Sequence, residues 1–245
     1  MQPGAERQGA QGRNAVAVIH YWYDSLCGWC YGAAPLLQVA GAIPGLRIAL
    51  HGGGLFSGAQ RQRLNGPLRQ HILAHDQRIA ALSGQPFGAA YRDGLLQDAE
   101  TWLDSDPPTA AVLAAEALSG QGLAMLHALQ RAHYQQGRRI AEPAVLAELA
   151  QELGLAAEAF RAELQRHKGP VLAEHLVASR RALAQLGGGG FPTLALERDG
   201  RLQVLDIGAY LGRPEAWREF LLRGLVEAQS ATAQAFCAVD GSGDC

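Results

Sequence analysis

Cys27 and Cys30 are separated by Gly28 and Trp29, and two thiols at this spacing suit either thiol–disulfide exchange or one half of a zinc site. Residues 16–23, directly before them, form an apolar run that reads as a buried strand, and residues 31–40 read as a helix. A cysteine where a helix begins meets unpaired backbone N–H groups and the positive end of the peptide dipoles, which favour thiolate over thiol. Three residues on, the helix has made nearly one turn, so Cys30 returns to the same face. The chemistry expected is attack by Cys27 on a disulfide sulfur, followed by release of the product by Cys30. A structural zinc site needs a second pair of ligands. The other cysteines, Cys237 and Cys245, lie in a Gly/Ser-containing tail with seven residues between them, which suits a zinc ribbon poorly; they could close a loop as a disulfide, pass electrons to the dithiol or be idle thiols, and idle thiols are expected. His71 and His75 stand one helical turn apart beside Asp76, but no glutamate lies between them, so exposed surface histidines are expected and no metal site.

Four glycines, 187–190, precede Phe191-Pro192-Thr193 and a short apolar run. Proline is tolerated at the first position of a strand, where its missing N–H costs no ladder bond. Beside a dithiol, Pro192 is expected in the cis form, with the preceding backbone offered to an extended client segment as an added strand.

Taken together, residues 23–31 and Phe191-Pro192-Thr193 resemble the DsbA-like branch of the thioredoxin superfamily, and within it the protein disulfide isomerases carrying a Cys-x-Trp-Cys-Tyr site. The resemblance implies Cys27 as nucleophile, Cys30 as resolving thiol and Pro192 as the cis-proline. It also implies Gly28, Trp29, Phe191, Pro192 and Thr193 as the residues that meet substrate. Pro35 falls where such proteins kink the active-site helix. One departure is plain: relatives place a buried carboxylate six residues before the nucleophile, and that position is Tyr21 here. Asp24 is nearer the dithiol but reads as a turn or cap residue. Without a histidine between the cysteines, a less oxidising site than that of DsbA is expected.

The elements that must position these residues follow the same pattern. Residues 46–51 read as a second strand completing a βαβ unit, Gly52-Gly53-Gly54 opens a loop, and His20 and His51 fall in strands as core or edge residues. From 67 to 186 the pattern is almost wholly helical, with joints at Pro107-Pro108, Gly120-Gln121-Gly122 and Glu142-Pro143. Within it the Ala-rich stretch 109–118 reads as a close-packed core helix. Asp199-Gly200 between 193–196 and 202–205 signals a hairpin, and a last helix is expected over 214–228. The fold class expected is therefore α/β: a thioredoxin-like domain over 15–66 and 187–230, with a helical domain inserted at 67–186. Polar tails flank it at 1–14 and 231–245. In the family resembled, such an insert caps the active-site face and leaves a groove for a client peptide or small thiol.

The chain's 245 residues and net charge of −2, with no basic cluster, argue against nucleic acid, and no apolar run approaches membrane-spanning length. The polar start lacks an apolar signal core, so a cytoplasmic location is expected, where reduction or isomerisation is more natural than net oxidation. Expected partners are protein or small-molecule thiols and disulfides. No cofactor is expected beyond the cysteine pair, with glutathione a candidate co-substrate. Two other classes are carried alongside the oxidoreductase/isomerase. One is a glutathione-dependent transferase or isomerase of the kappa or hydroxychromene carboxylate type, whose members generally have serine where Cys27 stands. The other is a non-enzymatic redox-sensing adaptor.

Overall fold

Alternation along the first strand decides how the molecule is layered. The structure, a computed structural model, describes residues 17–225. The expectations for 1–14, 226–230, 231–245, Cys237 and Cys245 lie outside these residues. In β1 (Ala17–Tyr23), Ala17, Ile19, Tyr21 and Tyr23 join the main core, whereas Trp22 points to the opposite face, packs with Leu183 and donates its indole N–H to the Ser179 carbonyl at 3.0 Å. Both faces of the strand are thus covered, as a central strand between helical layers requires.

β1 pairs in parallel with β2 (Leu46–Gly52), with α1 (Gly28–Gly41) as the connection. On its other side β1 runs antiparallel to a third strand, Thr193–Arg198, which turns through Asp199 and Gly200 into a fourth, Arg201–Leu205. Both turn residues have positive φ, 49° and 70°, the conformation for which Asp-Gly is selected in two-residue hairpins. A closing helix covers 214–225 and buries Trp217 completely. The four-stranded sheet with its two halves separated in sequence is the thioredoxin-like α/β fold.

The segment between the halves carries α2 (Gly66–Ser83), α3 (Asp106–Ser119), α4 (Gly122–Tyr134), α5 (Pro143–Glu152), α6 (Ala157–Arg166) and α7 (Pro170–Gln185). It is less uniformly helical than its periodicity suggests. Between Gly84 and Ser105 the chain leaves regular α-helix and forms one strand of a small ribbon, Gln62–Arg63 with Trp102–Leu103. Pro86 and close backbone packing explain the break: a Cβ on Gly88 would lie 1.9 Å from the Gln135 carbonyl oxygen. Pro107-Pro108 is not a joint between helices but the first turn of α3, where the absent N–H has no intrahelical partner to lose. Ala110, Ala111, Val112, Ala114 and Ala115 of α3 are all fully buried, so the Ala-rich stretch is a close-packed core helix.

Candidate active site

The chain reverses direction between β1 and α1 because the Cys27 N–H donates to the Asp24 carbonyl at 3.2 Å. This places Cys27 at the N-cap and Cys30 in the first helical turn, three residues earlier than the apolar pattern alone marks the helix. Exposure separates the two thiols: Cys27 is 8% exposed and Cys30 is completely buried. Burial pushes the Cys30 thiol well above its ordinary pKa, and its hydrogen bond to the Cys27 sulfur adds to the shift. The asymmetry leaves Cys27 as the sulfur an incoming disulfide can reach.

Facing it, the Phe191–Pro192 peptide is cis, and the Cys27 thiol lies 3.5 Å from the Phe191 carbonyl oxygen, to which it donates. Phe191 reaches this position because the ring lies flat on Gly53, where a Cβ would be 1.9 Å from its Cζ. Thr193 starts the following strand, opposite Trp22, and its hydroxyl donates to the Gly190 carbonyl at 2.9 Å. The loop carrying Gly53 is clamped in turn by Arg180 on α7, whose guanidinium donates to the Gly53 and Gly54 carbonyls at 2.8 and 2.5 Å.

Asp24 is wholly buried and serves as a turn anchor. One carboxylate oxygen accepts from the Leu26 N–H at 2.8 Å and the Ser105 hydroxyl at 3.0 Å, and the other accepts from the Leu55 N–H at 2.7 Å. Burial raises its pKa, and these hydrogen bonds oppose the rise. Tyr21, six residues before Cys27, donates to the Cys30 carbonyl at 3.4 Å; burial raises its pKa too, so its phenol remains protonated at neutral pH.

A cavity of about 290 Å³ opens over the Cys27 side, toward the small end of the range for small-molecule sites. Its lining includes Cys27, Gly28 and Trp29 from α1, His71, His75 and Asp76 from α2, and an apolar wall with Leu55 and Phe56. Trp29 meets His75 edge-on with ring centres 6.5 Å apart, and the Arg78 guanidinium lies 5.6 Å over the indole. His71, exposed as expected, and His75, half-buried, have rings 4.5 Å apart and both line this cavity. Among the described residues no three metal-ligating side chains converge. His20 and His51 lie elsewhere, bonded to each other at 2.9 Å across β1 and β2, with Glu197 accepting from His20 at 2.7 Å.

In the sequence Asp76 stands out only as the neighbour of the histidine pair, in the polar run His75-Asp76-Gln77, with no mark of its burial. It is 5% exposed, and the Tyr91 hydroxyl donates to its Oδ2 at 2.9 Å. Burial pushes its carboxyl up to about 7, with the Tyr91 bond pulling the other way. One signal could have found it: Ile72, Asp76, Ile79 and Ser83 recur at helical spacing on the face of α2 that turns inward. Ser105 and Arg180, distant in sequence from the loops they hold, carried no comparable signal.

A cap-side dithiol facing a cis-proline loop, on this sheet with this helical insertion, defines a thioredoxin-like thiol–disulfide site. The chain matches the DSBA-like thioredoxin domain family over residues 18–208 and belongs to that family of oxidoreductases. Among solved structures it is similar to the cytosolic disulfide reductase DsbM from Pseudomonas aeruginosa. The identity is 56% over 85% of this chain and 98% of that one, with a TM-score of 0.80. The structure of DsbM with glutathione (GSH) matches at 54% identity over the same shares, TM-score 0.79. A candidate protein disulfide isomerase from Nitrosomonas europaea matches at 25% identity, covering 86% of this chain and 98% of that one, TM-score 0.70. A 2-hydroxychromene-2-carboxylate isomerase is 16% identical over 86% of this chain and 98% of its own, TM-score 0.53, a likeness of fold alone. No curated protein matches. None of the helices among the described residues is long and apolar enough to cross a membrane.

Proposed function

We propose that this protein is a disulfide reductase in which the Cys27 thiolate attacks a client disulfide and Cys30 resolves the mixed disulfide, with a small thiol of the glutathione type returning the oxidised pair to dithiol. The observation that carries this reading is the division of the two sulfurs, Cys27 at the floor of a small cavity and Cys30 sealed behind it. A buried thiol with a raised pKa stays protonated until the mixed disulfide forms beside it, which suits a resolving group. The description of the 56%-identical DsbM as a disulfide reductase supports the direction, and its structure with glutathione supports the reductant. A cavity of this size admits a tripeptide-sized thiol more readily than a folded client, and no cofactor beyond the cysteine pair enters the scheme.

Insulin reduction driven by glutathione or dithiothreitol tests the proposal. Cys27→Ala should abolish turnover, and Cys30→Ala should accumulate mixed disulfides visible by mass spectrometry, because attack remains possible but release does not. Turnover by Cys27→Ala at the parent rate would reject the dithiol route and leave the transferase-type alternative, in which the thiols are not consumed.

A further inference from the structure

The cavity holds a titratable side chain that the dithiol scheme leaves without a task. Asp76 comes from α2, far in sequence from the cysteines, yet its Oδ1 lies only 3.1 Å from where a Cβ on Gly28 would stand, so the absence of a side chain beside Cys27 is what admits it. Its Oδ2 is fixed by the Tyr91 hydroxyl, and Oδ1 has no hydrogen-bond partner among the described residues. A nearly buried carboxyl with one oxygen anchored and the other turned toward the reactive sulfur's neighbour is placed to exchange a proton with whatever enters.

We propose that Asp76 takes the proton from a small thiol entering the cavity, so that the thiolate can attack the Cys27 side of the oxidised pair. This rests on the reductase reading above. The thiol RSH gives its proton to the Asp76 carboxylate, RS⁻ bonds to the Cys27 sulfur, and the Cys27–Cys30 bond breaks with its electron pair left on Cys30. Cys30 then takes up a proton, restoring the count once Asp76 releases the one it accepted. A second thiol displaces Cys27 from the mixed disulfide, leaving the dithiol and RSSR, so two thiols have supplied two electrons.

The groups around Asp76 bear on its titration. Tyr91 from residues 90–94, His71 and His75 from its own helix, Cys27 from the start of α1, and His133 and Tyr134 from α4 line the cavity with it, and Arg92 lines a second, neighbouring cavity that Asp76 also borders. His133 is neutral at pH 7, since burial pushes its pKa down to about 4. Asp76 itself, pushed up to about 7, changes charge where a thiol needs help: a free thiol of pKa ~8.5 is only a few per cent ionised at neutral pH, so a base can gain at most about 30-fold there.

The test is the pH profile for reduction of the oxidised protein by excess glutathione, followed by tryptophan fluorescence in a stopped-flow instrument. The parent should show an inflection near the Asp76 pKa, and Asp76→Asn should be about 5–15-fold slower at pH 7, where about half of Asp76 is carboxylate, but converge on the parent above pH ~9, where the thiol ionises unaided. A uniform slowing at every pH, or no slowing at pH 7, would overturn the proposal. Should Asp76→Asn not fold, Tyr91→Phe decides: it removes the bond that lowers the Asp76 pKa, so the inflection must move to higher pH, and an unmoved inflection rejects the assignment. Loss of the inflection in His71→Gln/His75→Gln, with its retention in Asp76→Asn, would assign it to the imidazoles instead. If glutathione fails to reduce the parent while dithiothreitol succeeds, a reductant of the glutathione type, as the proposed function has it, is wrong. Dithiothreitol, also protonated at neutral pH, then carries the same comparison for Asp76.

Discussion

Gly53 illustrates how a missing side chain determines a reactive geometry. The Phe191 ring occupies the space where a Cβ would be, 1.9 Å from Cζ, and the Phe191 carbonyl is the group against the Cys27 sulfur. Gly53→Ala must therefore push the ring and its backbone away from the dithiol. We expect at least ~10-fold slower insulin reduction and about 1–3 kcal/mol lower stability, the usual cost of overpacking. A variant with the parent's rate would show that the Phe191 carbonyl is not needed. The dithiol and the cis-proline segment were legible because each is a local signal: a spacing within one helical turn, and a proline opening a strand. Gly53 was not, since its partner lies more than a hundred residues away and one glycine in a run of three carries no mark of what packs on it.

Between elements, the seam of α1 and α2 is set by Gly28 and Gly32, one helical turn apart and both against Ile79. Cβ atoms there would lie 2.9 Å from Ile79 Cδ1 and 2.8 Å from its Cγ2. Gly28→Ala should cost about 1–2 kcal/mol in urea unfolding. Adding Ile79→Val, which removes Cδ1, should recover part of that loss beyond simple additivity. Strictly additive losses would mean that the seam relaxes elsewhere. The same seam brings α2's Asp76 and histidines over the cysteines, so an inserted helix supplies a wall that the sheet domain lacks. Helical periodicity announced α2 as a helix; its inward face was obscured by a charged residue and a serine standing in the buried stripe. Where the pattern overreached, between Gly84 and Ser105, backbone contacts with the end of α4 outweighed the local preference.

For the molecule as a whole, burial of neutral histidines fixes the pH response of stability. Burial is the first cause lowering His51, His127 and His133, each to about 4 from an ordinary value near 6.5. The unfolded chain therefore binds more protons than the folded one between those values, so stability falls as pH drops through that window. Asp76 works the other way, since its raised carboxyl favours folding in its protonated form, and Asp24 and Asp104, also raised by burial, act in the same sense; these three are outnumbered by four lowered imidazoles, His175 included. The urea midpoint should decline steadily from pH 7 to pH 4.5, and a flat profile would contradict the burial of these imidazoles. Asp76→Asn should steepen the decline by removing the opposing titration.

What the sequence by itself determined is whatever depends on neighbours along the chain. The strand, helix-initial dithiol, proline-led strand, Asp-Gly hairpin and helical insertion follow from periodicity and backbone chemistry within a few residues. Only the tertiary structure decided which side chains share the sulfurs' surroundings. Asp76, Arg180, Ser105 and the Gly53–Phe191 contact meet the site across long stretches of chain, and which buried face a polar residue joins is settled by packing that local patterning does not encode.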